Sequence, residues 1–313
     1  MADKISTRQA YGDTLVKLGA ENQNIIVFDA DLSKSTMTAG FKEAYPDRFF
    51  NAGIAEANMM GMAAGLAFSG KTVFASTFAM FAAGRAYEII RNSIGYPRAN
   101  VKICATHAGI TVGEDGASHQ CVEDLALMNV IPGMTVVHPA DGVSTEKLLR
   151  QVAALDGPVY VRLGRLAVPV VYEGTAEVVL GKASTLREGT DHTVIACGIM
   201  VNEALQAAET LTADGINVRV LDMHTIKPID EEAIVKAATE TKSLITAEEH
   251  SVIGGLGSAV ASVAARMCPT RIAMVGVQDQ FGRSGKPEEL KKAYHLTAED
   301  IVQAVRNADA EIK

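Results

Sequence analysis

The chain has 313 residues, 48% hydrophobic and 21% charged, which is enough for about two domains with large cores and excludes a disordered protein. Lys and Arg number 29 against 37 Asp and Glu, a formal charge of −8 with no basic block, so neither nucleic acid nor an anionic membrane is an expected partner. No apolar run reaches the ~18–20 residues of a membrane span, and the N-terminus lacks a signal-peptide core.

The four cysteines, Cys104, Cys121, Cys197 and Cys268, lie far apart without a CxxC pair. That spacing argues against a zinc site or a disulfide framework and for a reducing cytoplasm. In chain order, Ser6 and Gln9 form a capping-box pattern that opens a helix through about residue 20. NIIVFD (24–29) reads as a buried parallel strand. A small-residue helix follows Glu56, then a strand over 71–76 and a helix from Phe78 to about Asn92. The strand 101–107 runs into the polar loop AGITVGEDGASHQ. A short helix, a strand over 134–139, a helix over 141–155 and a strand over 158–163 complete this series.

From about 166 to 190 the sequence reads as extended pieces without a helix, the pattern of a linker. A second series follows, with strands over 193–198, 217–222, 243–249 and 271–277 and helices over 200–214, 231–239 and 258–267. A last helix runs from Glu299 to about Asn307. The expected fold is therefore α/β: two doubly wound domains, 1–168 and 191–313, joined by a linker at 169–190. The turn IGGLG (253–257) is neither GxGxxG nor a Walker motif, and reads better as a tight strand-to-helix turn than as a phosphate cradle.

No HxxxH or HExxH is present, so no metal site is expected, and no GxSxG marks a nucleophilic serine. The unusual residues gather in the loops after the strands of the first domain, where open α/β sheets bind ligands. Glu56, at the head of an apolar helix, is either a carboxylate favoured by the helix dipole or a buried acid that holds a proton. Phe78 and Phe81, three apart at a helix start, either pack in the core or support a flat aromatic ligand. The loop with His107, Glu114, Asp115 and His119 among glycines suits hydroxyl and carbonyl recognition and proton transfer. Arg8, Ser35 and Arg165 have the chemistry to gather one phosphate if the fold brings them together.

In this order the segments resemble the second half of transketolase, a thiamine-diphosphate enzyme of the pentose phosphate pathway, over nearly the whole chain. GEDGASHQ is the most specific element, and the TRxx opening, ADLSxS, the Glu56 helix and TFxxF add their order and spacing. The resemblance implies a pyrimidine-binding thiamine-diphosphate domain followed by a smaller transketolase C-terminal domain. It places Glu56 at N1′ of the aminopyrimidine, Phe78 and Phe81 against that ring, and Asp31 near the cofactor at a subunit interface. It further implies that His107 and His119 line the substrate channel as catalytic groups and that Asp115 reads a sugar hydroxyl. Arg8, Ser35, His107 and Arg165 would form the sugar-phosphate pocket, with Arg162 an alternative to Arg165 in a shifted alignment.

Thr111 replaces a glycine of the family loop, and Gly84 stands where the family often has a third aromatic. The GDG-x(~25)-N element that holds Mg²⁺ and the diphosphate in the family is absent from these residues. The resemblance therefore implies the C-terminal subunit of a split transketolase that needs an N-terminal partner, expected as α2β2, with Mg²⁺ held mainly by the partner. Deoxyxylulose-phosphate synthase shares the IAE and DGxxHQ elements but normally differs at His107 and lacks ADLSxS. A 2-oxoacid dehydrogenase β subunit shares the layout but has no reason for GEDGASHQ. A non-catalytic relative would be expected to have lost Glu56, Phe78, Phe81, His107 and His119.

Overall fold

The structure, a computed structural model, describes residues 4–311, so the outermost residues of both expected domains lie outside it. Its strands are β1 (Lys4–Ser6), β2 (Ile25–Asp29), β3 (Phe49–Asn51), β4 (Thr72–Phe78), β5 (Val101–Thr106), β6 (Thr135–Val137) and β7 (Val159–Arg162). Then come β8 (Ala167–Pro169), β9 (Ser184–Arg187), β10 (His192–Ala196), β11 (Val218–Asp222), β12 (Thr225–Lys227), β13 (Leu244–Ser251) and β14 (Ile272–Val277). A seven-stranded sheet has the order β12-β6-β7-β5-β4-β2-β3, and a five-stranded sheet the order β14-β13-β10-β11-β9. Both are parallel except at one edge, where β12 and β9 run antiparallel to their neighbours. Strands β2 and β5 are buried throughout, as expected where helices cover both faces.

Several local expectations differ from what is observed. Residues 169–190 were expected as linker, yet β9 within them pairs with β11 of the second sheet. Strand β12, from the second series, closes the edge of the first sheet against β6. The two domains are thus interlocked through an exchanged edge strand, which hydrophobic periodicity does not encode. Only half of the expected capping box forms at the first helix (Thr7–Glu21). Ser6 accepts the Gln9 amide at 3.2 Å, while the Gln9 side chain turns to Asp13.

Phe78 ends β4 rather than starting a helix, because Ser76, Thr77 and Phe78 continue the ladder against Cys104, Ala105 and Thr106. The expected helix beyond it is broken into two π-helical stretches, Phe81–Arg85 and Ile90–Gly95, around a short α turn. The Tyr96 amide, for example, reaches back five residues to the Arg91 carbonyl at 2.9 Å. Widened turns of this kind concentrate at functional sites.

The IGGLG turn is indeed no phosphate cradle. The helix it opens (Leu256–Met267) has its N-terminal amides at Leu256 and Gly257 already bonded, each at 2.7 Å, to the buried Glu248 carboxylate. Among the described residues no group of three or more His, Cys, Asp or Glu is arranged to hold a metal, and no helix is long and apolar enough to cross a membrane. All four cysteines are free thiols, three of them buried.

A buried ion pair within the first domain also reaches the second. Arg162, fully buried on β7, donates to Asp124 at 2.8 Å and to the carbonyls of Cys121 and of Glu249 on β13, each at 3.1 Å. Tyr160 adds a hydroxyl bond to the same Asp124 oxygen at 2.8 Å. Burial alone would raise the Asp124 pKa, but the Arg162 charge, His250 and these hydrogen bonds hold it below the usual value. Removing one partner strands the other charge in the core, so Arg162→Met is expected to destabilise the fold by about 3–5 kcal/mol in urea denaturation. Arg162→Met combined with Asp124→Leu is expected to recover part of that loss. A single variant close to wild type would mean that the buried pair does not stabilise the fold.

Candidate active site

The ends of β2, β4, β5 and β7 open on the same edge of the first sheet, and the loops after them carry most of the residues singled out from the sequence. Asp29, the last residue of β2, is buried and ties down the following loop. It accepts from the Leu32 amide at 2.5 Å and from the hydroxyls of Thr36 and Thr38 at 2.6 and 3.0 Å. That loop presents Ser35 to Arg8, which stands in the first turn of the N-terminal helix. Arg8 donates to the Ser35 carbonyl at 2.8 Å and to the Arg165 carbonyl at 3.2 Å, and its Nη1 lies 3.5 Å from His107 Nε2.

Ser35 therefore meets Arg8 through its backbone carbonyl. Arg165 donates to the Val112 carbonyl and lies 3.5 Å from Glu114 Oε2. Arg162 cannot reach a substrate, being buried against Asp124. Arg8 and Arg165 thus stand close together, and burial followed by the Arg165 charge lowers the Arg8 pKa. Neither carbonyl that Arg8 contacts neutralises its charge. The result is an electropositive niche with the chemistry of an oxyanion pocket.

His107 follows β5 directly and has left-handed backbone (φ 58°), a conformation uncommon outside glycine and frequent at functional sites. Its ring stacks on Phe78 with centroids 3.8 Å apart, and Phe78 stacks on Phe81 at 5.7 Å. His119 stands edge-on to Phe81 at 5.3 Å and to Phe78 at 6.3 Å. Two histidines from one loop, with Phe78 at the end of β4 and Phe81 at the start of the π-helical stretch, therefore form a continuous aromatic surface. An open cavity of about 480 Å³ lies beside it, lined by Phe81, Arg85, Ser118, Gln120 and Phe281. A larger groove of about 750 Å³, near Glu203 and Lys291, contains none of these site residues.

Glu56 is buried and also begins its helix (Glu56–Phe68), so both features weighed from the sequence are present. Its partner is Arg85, which the sequence reading passed over. The Arg85 guanidinium lies 3.3 Å from the Glu56 carboxylate and 4.6 Å over the Phe81 ring. The available signal was general: a buried carboxylate needs a partner, and Arg85 is a cation shortly after the TFxxF segment. Asp31 is exposed, with φ 63°, and exchanges hydrogen bonds with Asn51 at 3.0 and 2.9 Å. Asp115 is exposed on the loop tip. Among the described residues no hydrogen bond joins either acid to the aromatic cluster.

The His107 pKa is pushed down to about 3, first by burial and then by the charges of Arg8, Arg165 and His119. The ring is neutral at physiological pH, so one nitrogen accepts, and Nε2 is the one that faces the Arg8 guanidinium. A histidine whose folded pKa lies below its unfolded value of ~6.5 takes up protons only on unfolding, so it weakens the fold as pH falls below that value. His107→Gln is therefore expected to lose less stability than wild type between pH 7 and pH 5, by roughly 1–2 kcal/mol in urea titrations. Identical losses in the two proteins would show that this ring protonates normally in the fold.

The sequence profile described as transketolase, pyrimidine binding domain, matches residues 3–170, and that described as transketolase, C-terminal domain, matches residues 181–301. The chain belongs to the transketolase family. It is 52% identical over 301 residues to a protein of Methanocaldococcus jannaschii named as a transketolase C-terminal section, covering 95% of this chain and 94% of the other. A 6-deoxy-6-sulfo-D-fructose transketolase subunit of Clostridium sp. is 44% identical over 297 residues, covering 95% of this chain and 92% of its own length. A solved split-gene transketolase, described as an inactive β4 tetramer, superposes with a TM-score of 0.90 at 54% identity, covering 98% of each chain. This transketolase chain is thus the C-terminal subunit of a split enzyme, and the synthase and dehydrogenase alternatives fall away. Transketolases depend on thiamine diphosphate, and a split C-terminal subunit implies an N-terminal partner.

Proposed function

We propose that this subunit supplies the aminopyrimidine and sugar-binding halves of a two-chain active site that transfers a two-carbon ketol unit from a ketose phosphate to an aldose phosphate. The observation that carries this reading is the placement of buried Glu56, the Phe78–Phe81–His107–His119 surface and the Arg8–Arg165 niche along one sheet edge. A buried carboxyl beside flat aromatic faces suits an aminopyrimidine. No described cluster of acids suits Mg²⁺, so the metal and the diphosphate are assigned to the partner subunit in an α2β2 assembly. Thiamine diphosphate, when bound, supplies the electron sink that lets a carbon–carbon bond next to a carbonyl break.

This chain's own residues orient and protonate. Glu56 holds a proton toward the pyrimidine nitrogen, Phe78 and Phe81 fix the plane of the ring, and Asp31 faces the subunit boundary. His107 and His119 hydrogen-bond the sugar oxygens where the bond breaks, and Asp115 reads a hydroxyl further out. Arg8 and Arg165, with the Ser35 loop behind them, bind the terminal anion. A bound dianion would offset the two positive charges that help to lower the His107 pKa, making that ring more basic in the loaded site. The free thiols and the absence of a membrane-spanning helix support a cytoplasmic setting in sugar-phosphate metabolism.

Substituting the arginines tests the anion pocket. In the assembled enzyme, Arg8→Ala and Arg165→Ala are each expected to raise KM for phosphorylated sugars roughly 10- to 100-fold, since a charge-assisted hydrogen bond is worth ~1.5–3 kcal/mol. KM for unphosphorylated sugars should barely move. Equal effects on both would make these arginines structural. A selective effect on sulfonated sugars, the substrate type named for the Clostridium relative, would reassign the anion.

A further inference from the structure

We infer that Glu249, in the second domain, is a positioning residue that holds the histidine loop of the first domain in register. The inference rests on the ketol-transfer reading for what the loop does, but not for the contact itself. Just before its last residue, strand β13 carries three consecutive buried titratable residues, Glu248, Glu249 and His250, and each accepts at least one backbone N–H group. Glu248 serves its own domain at the Leu256 helix. His250 and Glu249 both cross to the first domain.

His250 Nε2 accepts the Leu125 amide at 3.1 Å, which leaves Nδ1 to donate to the Ser251 carbonyl at 2.7 Å. Glu249 Oε1 accepts the Thr111 amide at 2.6 Å, inside the loop that carries His107 and His119. The loop backbone lies directly on this carboxylate. A Cβ at Gly109 would fall 2.2 Å from Glu249 Cδ, and Gly109 has φ +80° besides. Only glycine meets both conditions at once.

The contact is placed where it matters. Gly109 is two residues beyond His107, and its amide bonds the Cys121 carbonyl at 2.8 Å to close the loop base. Val112, the residue after Thr111, receives the Arg165 guanidinium. From the far side, the Gln120 amide reaches the Ile110 carbonyl at 2.9 Å and the Arg283 carbonyl of the second domain at 3.0 Å. Both ends of the loop are therefore pinned by the second domain, although that domain supplies none of the proposed substrate contacts. Glu249 is the clamp that acts through the Thr111 amide, four residues beyond His107 in the chain.

The test uses the complex of this chain with its N-terminal partner, thiamine diphosphate and Mg²⁺, with xylulose 5-phosphate as donor and an aldose phosphate as acceptor. Glu249→Ala is expected to lower kcat about 100-fold, the scale of a loop misplaced by about 1 Å. Cofactor affinity by calorimetry should be retained, because Glu56 and Phe78 lie off this loop. Glu249→Gln, which keeps an acceptor oxygen for Thr111, should recover most of the loss.

Amide hydrogen exchange reads the contact without reference to activity. The Thr111 amide should be slow in wild type and fast in Glu249→Ala, with β10 and β11 unchanged. Fast exchange in wild type, or a Glu249→Ala enzyme with normal kcat, overturns the inference. Should the Ala variant not fold, a Gln variant with a similarly large loss of kcat overturns it as well. A protected Thr111 amide in a complex without ketol transfer would sink the functional reading while leaving the contact standing.

Discussion

Glu56→Gln, assembled with the N-terminal subunit, is expected to bind thiamine diphosphate with modest loss and to lose turnover by about 10²–10⁴-fold, the span of a general acid or base. The amide preserves the shape of the carboxyl but cannot hold or release its proton. The residue is 3% exposed and lies between the head of its own helix and Arg85. Calorimetry separates the two effects: affinity near wild type with turnover nearly abolished locates the defect in proton handling. Turnover close to wild type would remove Glu56 from the activating role. Loss of affinity in proportion to turnover would make it a binding residue only.

The chain purified alone is expected to fold, to show no ketol transfer and to bind thiamine diphosphate only weakly. In the proposed reading the diphosphate half of the cofactor's anchorage lies in the partner subunit, and the described residues contain no cluster of three or more His, Cys, Asp or Glu arranged for a metal. The surface around the Glu56 helix also looks like one half of an interface. Ile54 is 76% exposed and Phe68 61%, with Phe50 and Met62 also exposed on the same segment. Monomeric proteins seldom leave such an apolar strip uncovered, and obligate pairs typically bury more than ~2,000 Å². The split-gene relative has been described as an inactive β4 tetramer. Calorimetry with cofactor and Mg²⁺, before and after adding the N-terminal subunit, is the direct measurement. Tight binding with catalysis by this chain alone would overturn the two-subunit reading.

The parts of the site carried by contiguous motifs were legible in the sequence. Glu56 at a helix head, the Phe78–Phe81 pair and the His107–His119 loop depend on spacing along a few residues, and the fold keeps them adjacent. What proved illegible was the choice of partner. Ser35 contributes its carbonyl because Asp29 folds the loop back on itself, a decision made by a buried acid that the sequence reading did not single out. Arg85 reaches Glu56 across a π-helical stretch where a regular helix was expected.

Arg162 and Arg165, three residues apart in RLGRLA, are indistinguishable as guanidinium groups in the sequence. Burial decides between them. Strand β7 points Arg162 into the domain junction, where Asp124 compensates its charge, while Arg165 lies beyond the strand end and reaches the loop. The sequence by itself determined the α/β class and the local chemistry of each motif, because periodicity and motif spacing are properties of neighbouring residues, and the resemblance of its ordered motifs pointed to the family. The tertiary structure alone decided that β12 crosses to the first sheet, that Glu249 pins the histidine loop, and that Arg8 and Arg165 share one niche. Those outcomes depend on which distant backbone amides and charges must be satisfied once water is excluded, and a buried group meets that need with whatever partner the packed chain brings within reach.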